Sequence, residues 1–219
     1  MSLAAPRIAI VDYDMGNRRS VEKALDHVGA AASITRDPAE LEQADALVLP
    51  GVGAFPRGME NLRAHDLDQV VRARAATGTP ILGICLGMQL LFDSSNEFGE
   101  VTPGLGLIPG DVRALAAGQL RVPHIGWNEV RLERDSPLTS ELPAGGAPFY
   151  HVHSYAAHPA EPSDVVGTTE YGERFATIVA RGSVYGTQFH PEKSSRDGLA
   201  LLAAFVRLVR EREPQPVTA

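Results

Sequence analysis

Pro80-Ile81-Leu82-Gly83-Ile84-Cys85-Leu86-Gly87-Met88-Gln89 begins with an apolar run that reads as a buried strand and leads into Met88 to Phe92, an apolar run that reads as helix. Between them Gly83-Ile84-Cys85-Leu86-Gly87 frames the only cysteine of the chain with glycines. A sharp strand-to-helix turn pushes one side chain into the open, and glycines on both sides let the backbone turn tightly. The pattern predicts a thiol version of the nucleophile elbow. Free backbone N–H groups and the positive end of the helix dipole favour negative charge on a sulfur placed there.

Outward from this stretch, the first half of the chain alternates short apolar runs with amphipathic ones, which predicts a parallel sheet covered by helices. Strands are expected at Ile8 to Asp12, Ala32 to Thr35, Ala46 to Leu49 and Ile81 to Ile84. A helix over Asn17 to His27 carries Val21, Leu25 and Val28 on one face and stops at Gly29. A single helix is expected from about Arg57 to Ala76. From Asp111 to Gln188 the pattern turns to short β-rich segments with Pro and Gly turns, and a last helix runs from about Ser194 to Arg212 with Leu199, Leu202, Val206 and Val209 as its core stripe. The fold class is therefore α/β: an open, mostly parallel sheet flanked by helices, with an added antiparallel β layer. The 219 residues, 44% of them hydrophobic, suffice for one domain with its core over 6–212, and 213–219 reads as a loose tail.

A nucleophilic thiol needs a base, and the base needs an orienting group. His190 follows the strand-like run Ser183 to Phe189 and precedes Pro191 and Glu192. If the strand persists through this step, residues i and i+2 face the same side and the Glu192 carboxylate reaches the His190 ring. Pro191 favours that geometry by disfavouring the α region for His190. Pro50-Gly51-Val52-Gly53, after strand Ala46 to Leu49, brings flexible backbone beside Cys85, so an N–H of Val52 or Gly53 can join that of Leu86 as an oxyanion hole. This turn is no phosphate loop, because the Lys-Ser/Thr ending is absent.

Gly-Ile-Cys-Leu-Gly-Met-Gln followed about 100 residues later by Gln-Phe-His-Pro-Glu resembles the class I, triad-type glutamine amidotransferases. Within that class, Leu49 to Phe55, Pro123-His124-Ile125-Gly126-Trp127-Asn128 and Tyr150-His151-Val152-His153-Ser154-Tyr155 resemble the glutaminase subunits of imidazole glycerol phosphate synthase. The resemblance implies a flavodoxin-like core. It also implies glutamine hydrolysis by Cys85, His190 and Glu192, with Gln89, Glu97, Ser154 and Tyr155 holding the amino-acid end of glutamine. It further implies a (β/α)8-barrel cyclase subunit as heterodimer partner, which uses the ammonia in histidine biosynthesis, and places the loop around Asn17, Trp127, Asn128 and Lys193 at that interface. Glutaminase subunits for anthranilate, aminodeoxychorismate or pyridoxal phosphate synthase are alternatives in the same class, and a non-catalytic regulatory subunit is one outside it. Asp14 and Arg18 depart from the family's Asp-Tyr-Gly-x-Gly-Asn-Leu-x-Ser pattern, and His151 stands where an aromatic or apolar residue is usual.

The formal net charge of -7, with both signs interspersed, argues against a nucleic-acid surface. No apolar run approaches the roughly 18 residues of a membrane span, and the N-terminus lacks a signal-peptide core. A lone cysteine fits a reducing, cytoplasmic setting. No cofactor or metal is expected.

Overall fold

The computed structural model describes residues 4–212; the expected loose tail lies outside them. One 13-stranded sheet organises the chain. Its parallel half holds β1 (Arg7–Val11), β2 (Ala31–Thr35), β3 (Ala46–Gly51), β4 (Ile81–Cys85) and β13 (Val184–Thr187), in the order β2-β1-β3-β4-β13. Beyond β13 the sheet continues through antiparallel β12 (Glu173–Arg181), β10 (Tyr155–Pro159) and β7 (Ile108–Ala114) to β5 (Phe92–Ser95) and β6 (Thr102–Pro103). A branch leaves β12 through β11 (Val165–Tyr171) and β8 (His124–Leu132) to β9 (Ala147–His153). The antiparallel strands thus extend the parallel sheet by hydrogen bonds.

The apolar runs of the parallel strands follow from burial on both faces. In β1 the side chains alternate: Ile8 and Ile10 pack with Val21 and Leu25 of α1 (Arg18–His27) and with Leu202 and Phe205 of α6 (Ser195–Glu211). Ala9 and Val11 face the other way, toward Leu41 of α2 (Pro38–Gln43), Met59 and Leu62 of α3 (Phe55–Ala64) and Val71 of α4 (Leu67–Ala76). Each fully buried aliphatic side chain of this kind contributes roughly 1.5–3 kcal/mol. In α6, Leu202, Val206 and Val209 are buried and Leu199 packs partly against the same core.

Three local expectations are corrected. The helix expected over Arg57 to Ala76 is two, because Asp66 adopts φ 56, ψ 15 and breaks the hydrogen-bond ladder between α3 and α4. The apolar run Met88 to Phe92 is not one helix: α5 covers Leu86–Leu90, and Phe92 opens β5. There the N–H groups of Leu105 and Gly106 bond the carbonyls of Leu90 and Phe92, drawing the chain into the sheet. Strand conformation does not persist through His190, since Pro191–Lys193 forms a 3-10 turn. Helix α2 went unforeseen; Asp37 accepts the Ala39 N–H and Pro38 begins the helix, both usual starting signals.

Candidate active site

Strands β3, β4 and β13 are neighbours, with Gly51 paired to Cys85 and Thr187 to Ile84. Their carboxyl ends therefore deliver the Pro50–Gly53 turn, Cys85 and the segment Gln188–His190 to one place, as expected for a ligand site in an open α/β sheet. Cys85 ends β4 at φ 54, ψ -110, a conformation that L residues rarely adopt. A Cβ on Gly87 would lie 1.6 Å from the Leu49 carbonyl oxygen, and one on Gly83 would lie 2.7 Å from the Gly87 backbone. Only glycines let α5 fold this tightly against β3 and β4. The thiol donates to the Val152 carbonyl at 3.9 Å, and Gln188 Nε2 donates to the sulfur at 3.8 Å.

His190 is held at both backbone groups: its N–H donates to the Tyr150 carbonyl at 3.0 Å, and its carbonyl accepts the Ser194 hydroxyl at 2.7 Å. The 3-10 turn brings Glu192 Oε1 to 2.7 Å from His190 Nδ1. With Nδ1 donating to that carboxylate, Nε2 is the available base position, buried and without a hydrogen-bond contact among the described residues. Burial opposes charge on this ring, yet the nearby Cys85 sulfur, then the hydrogen bond and charge of Glu192, outweigh it and raise the His190 pKa to about 9. Asn17 completes the arrangement, its amide donating to Glu192 Oε1 and lying 3.4 Å from His190 Nδ1.

A cavity of about 270 Å³ opens over Cys85, lined by Val52, Gly53, Leu86, Gln89, Glu97, Ser154 and Tyr155, with His153 and Val152 in the same wall. Every residue named for the oxyanion hole and for glutamine is therefore at the cavity. Tyr13 donates to the Pro50 carbonyl at 2.6 Å and fills the space a side chain at Gly51 would need. Burial, with the nearby Cys85 charge, pushes the Tyr13 hydroxyl pKa up. Glu97 Oε2 accepts the Phe55 N–H at 2.6 Å, leaving Oε1 for a ligand; burial raises its pKa against that hydrogen bond. The Gln89 amide gives both hydrogens to the protein, to the Tyr155 carbonyl and to Gln188 Oε1, each at 3.0 Å.

Of the residues tied to a partner surface, Trp127 is 52% exposed with its ring edge against Tyr150, and Lys193 is exposed. Asn17 and Asn128 instead point their amides inward, to Glu192 and to His124. The departures have partners. Asp14 takes φ 62, the left-handed conformation that a glycine would adopt, and Arg18 pairs with Asp12. His151 donates from, or accepts at, Nε2 with the Thr177 hydroxyl at 3.0 Å and faces the Phe149 carbonyl with Nδ1; burial, then His153 and His124, hold its pKa well below the usual value. Sequence reasoning missed Gln188, Ser194 and His153. Gln188 carried no periodic signal, because β13 ends at Thr187 and its role follows only from the pairing of β13 with β4.

The sequence matches the family described as glutamine amidotransferase class-I over residues 9–208. The imidazole glycerol phosphate synthase subunit HisH of Moorella thermoacetica is 53% identical over 203 residues, covering 93% of this chain and 95% of that protein. The subunit HisH of Symbiobacterium thermophilum is 52% identical over 205 residues, covering 93% and 94%. Among solved structures, PurLQS from Thermotoga maritima aligns with a TM-score of 0.74 at 21% identity, covering 93% of this chain and 99% of that one, a likeness of fold. The elbow, the sheet and these relatives agree: the chain belongs to the class I glutamine amidotransferases, in the family of imidazole glycerol phosphate synthase HisH subunits.

Proposed function

We propose that this chain hydrolyses glutamine to glutamate and ammonia and supplies the ammonia to a cyclase subunit that makes imidazole glycerol phosphate and an aminoimidazole carboxamide ribonucleotide in histidine biosynthesis. The observation that carries the reading is the strained Cys85 elbow, which opens on a cavity and whose sulfur acts on the ring of the His190–Glu192 pair.

Cys85 gives its proton to His190 Nε2 and attacks the side-chain amide carbon of glutamine, forming a carbon–sulfur bond while the carbonyl becomes an oxyanion. A ring raised to about 9 beside the Cys85 charge holds the thiol's proton as imidazolium and leaves the sulfur as thiolate, while Glu192 accepts its Nδ1–H and balances the charge. N–H groups of Leu86 and of Val52 or Gly53 receive the oxyanion; each such donor is typically worth about 2.7–4 kcal/mol. The carbon–nitrogen bond breaks as His190 returns the proton to the leaving nitrogen, and ammonia departs. Water, deprotonated by the neutral ring, then cleaves the thioester to glutamate and restores the thiol. Glu97 Oε1, Gln89, Ser154 and Tyr155 surround the amino-acid end of the substrate.

Ammonia released to water is protonated and lost, so an acceptor enzyme beside the cavity gives the hydrolysis its use. A (β/α)8-barrel cyclase fits, with the exposed Trp127, Lys193 and the Asn17 loop as its docking side and the cytoplasm as its setting. Glutamate formation is measured with and without such a barrel carrying its nucleotide ligand. The expected result is low turnover for the isolated chain, a large rise with the liganded barrel, and none for Cys85→Ala. Ammonia release by that variant overturns the nucleophile, and full turnover without a partner overturns the coupling.

A further inference from the structure

His124, His151 and His153 are buried side by side between β8, β9 and β12, outside the proton transfer just described. Two of them belong to a chain of hydrogen bonds whose direction is fixed at both ends. The Asn128 amide cannot be reversed, because its Oδ1 accepts the Glu129 N–H at 2.8 Å and its Nδ2 donates to the Glu170 carbonyl at 3.0 Å. The same Nδ2 lies 3.3 Å from His124 Nε2, which must therefore accept. A neutral ring with a bare Nε2 carries its proton on Nδ1, and His124 Nδ1 stands 3.1 Å from His153 Nε2. His153 in turn is bare at Nε2 and protonated at Nδ1, which donates to the Tyr155 carbonyl at 2.9 Å. That carbonyl also accepts from Gln89, whose second hydrogen goes to Gln188, the residue that donates to Cys85.

We propose that Asn128, His124 and His153 are positioning residues for glutamine: a one-way hydrogen-bond chain runs from the outer edge of β8 to the Tyr155 carbonyl and sets where Gln89 and the His153–Tyr155 wall stand in the cavity. The inference rests on reading that cavity as the glutamine site. Burial lowers the pKa of His124 and takes that of His153 down to about 4, so both rings stay neutral and keep the order of the chain near pH 7. His151 stacks on His124 at 4.9 Å, and Tyr171 stacks on its other face at 4.0 Å; neither ring makes a hydrogen bond to it.

The chain has a polarity that one outer substitution reverses. With Asp at 128 both side-chain oxygens accept, so His124 turns its proton to Nε2 and His153 follows, leaving a bare His153 Nδ1 opposite the Tyr155 carbonyl. Two acceptors then face each other at the wall of the cavity, although the change lies outside it.

Cys85 is the sole cysteine, so iodoacetamide modification of the full chain reads this site alone, and the glutamine concentration giving half protection reads ligand affinity. Asn128→Asp and His124→Phe are each expected to raise that concentration at least fivefold while the rate of modification without glutamine stays within about twofold. Together they give no more than the larger single effect, because they act through one chain. Long-range nitrogen–proton spectra of the ring are expected to show His124 and His153 both protonated at Nδ1 in the unaltered chain, and His153 protonated at Nε2 in Asn128→Asp. Should His124→Phe not fold, Asn128→Asp and the spectra still decide. Unchanged half protection in Asn128→Asp, or an Nε2 proton on His153 in the unaltered chain, overturns the inference alone. Failure of glutamine to protect the unaltered chain overturns the reading of the site, and the inference with it.

Discussion

Cys85 spends conformational energy to stand where it does. At φ 54, ψ -110 an L residue is strained by about 1–3 kcal/mol, and the surrounding glycines and the β4 ladder hold it there. Reactivity and stability are opposed at this one position. Cys85→Ala removes the thiol and keeps the strain, whereas Cys85→Gly removes both, less up to about 1 kcal/mol for the freer unfolded chain. Both variants should be inactive, with Cys85→Gly melting higher than Cys85→Ala by roughly 2–4 °C, the shift that about 1 kcal/mol produces in a domain of this size. Equal or reversed melting temperatures in parallel thermal scans would show that the elbow carries no strain. The frame of this residue was legible in the sequence because glycine, cysteine and glycine are each unusual there for a steric reason. Gln188 and Ser194 were not, since their roles appear only once β13 lies beside β4 and α6 returns under His190.

Between β1 and α1 the loop 12–17 shows what element-scale electrostatics add. Arg36, at the end of β2, reaches Asp12 at 3.2 Å and Asp14 at 2.5 Å, Arg18 also pairs with Asp12, and His65 at the end of α3 lies 3.2 Å from Asp14. Asp14 is held below the usual carboxylate range by its hydrogen bonds to Arg36 and His65. This network pins a loop whose last residue, Asn17, touches Glu192. Exposed pairs contribute little to global stability, a median of about 0–1 kcal/mol, so Arg36→Ala should barely move the melting temperature. Its effect should appear in glutamate formation with saturating partner: a fall of about 3–10-fold at low salt, shrinking toward the unaltered chain as salt screens the pairs there too. A loss of activity matched by an equal loss of stability would assign Arg36 to the core of the fold instead. Sequence pattern found these elements where short apolar runs lead into a Gly-containing turn, as after β3 and β4, and failed where the turn carries no glycine. Asp66 in the left-handed region and Pro191 opening a 3-10 turn carry no periodicity, so α3 and α4 read as one helix and His190 to Glu192 as strand.

Over the whole molecule, buried histidines pull stability in opposite directions across the pH scale. An unfolded histidine titrates near 6.5. His124, His151 and His153 are held below that value by burial, with His153 down to about 4, so as pH falls from about 6.5 the unfolded chain takes up protons that the native state refuses. Stability is therefore lost on the acid side, through the window from about 6.5 down to about 4, and each such ring contributes at most about 1.36 kcal/mol per pH unit. His190 has the reverse sign: raised to about 9, it adds stability that is complete below about pH 6.5 and disappears as pH rises through about 9. The two effects place the stability maximum near pH 6.5, between them. His151→Phe isolates one contribution, because the ring volume is kept while the titrating group is lost. Removing its hydrogen bond to Thr177 lowers stability by about 1–3 kcal/mol at every pH, an offset that leaves the slope untouched. Urea unfolding from pH 6.5 to 4.5 should then show the acid slope of His151→Phe reduced by about one proton relative to the unaltered chain. An unchanged slope would mean that His151 accepts its proton as readily folded as unfolded, which its place between β9 and β12 forbids.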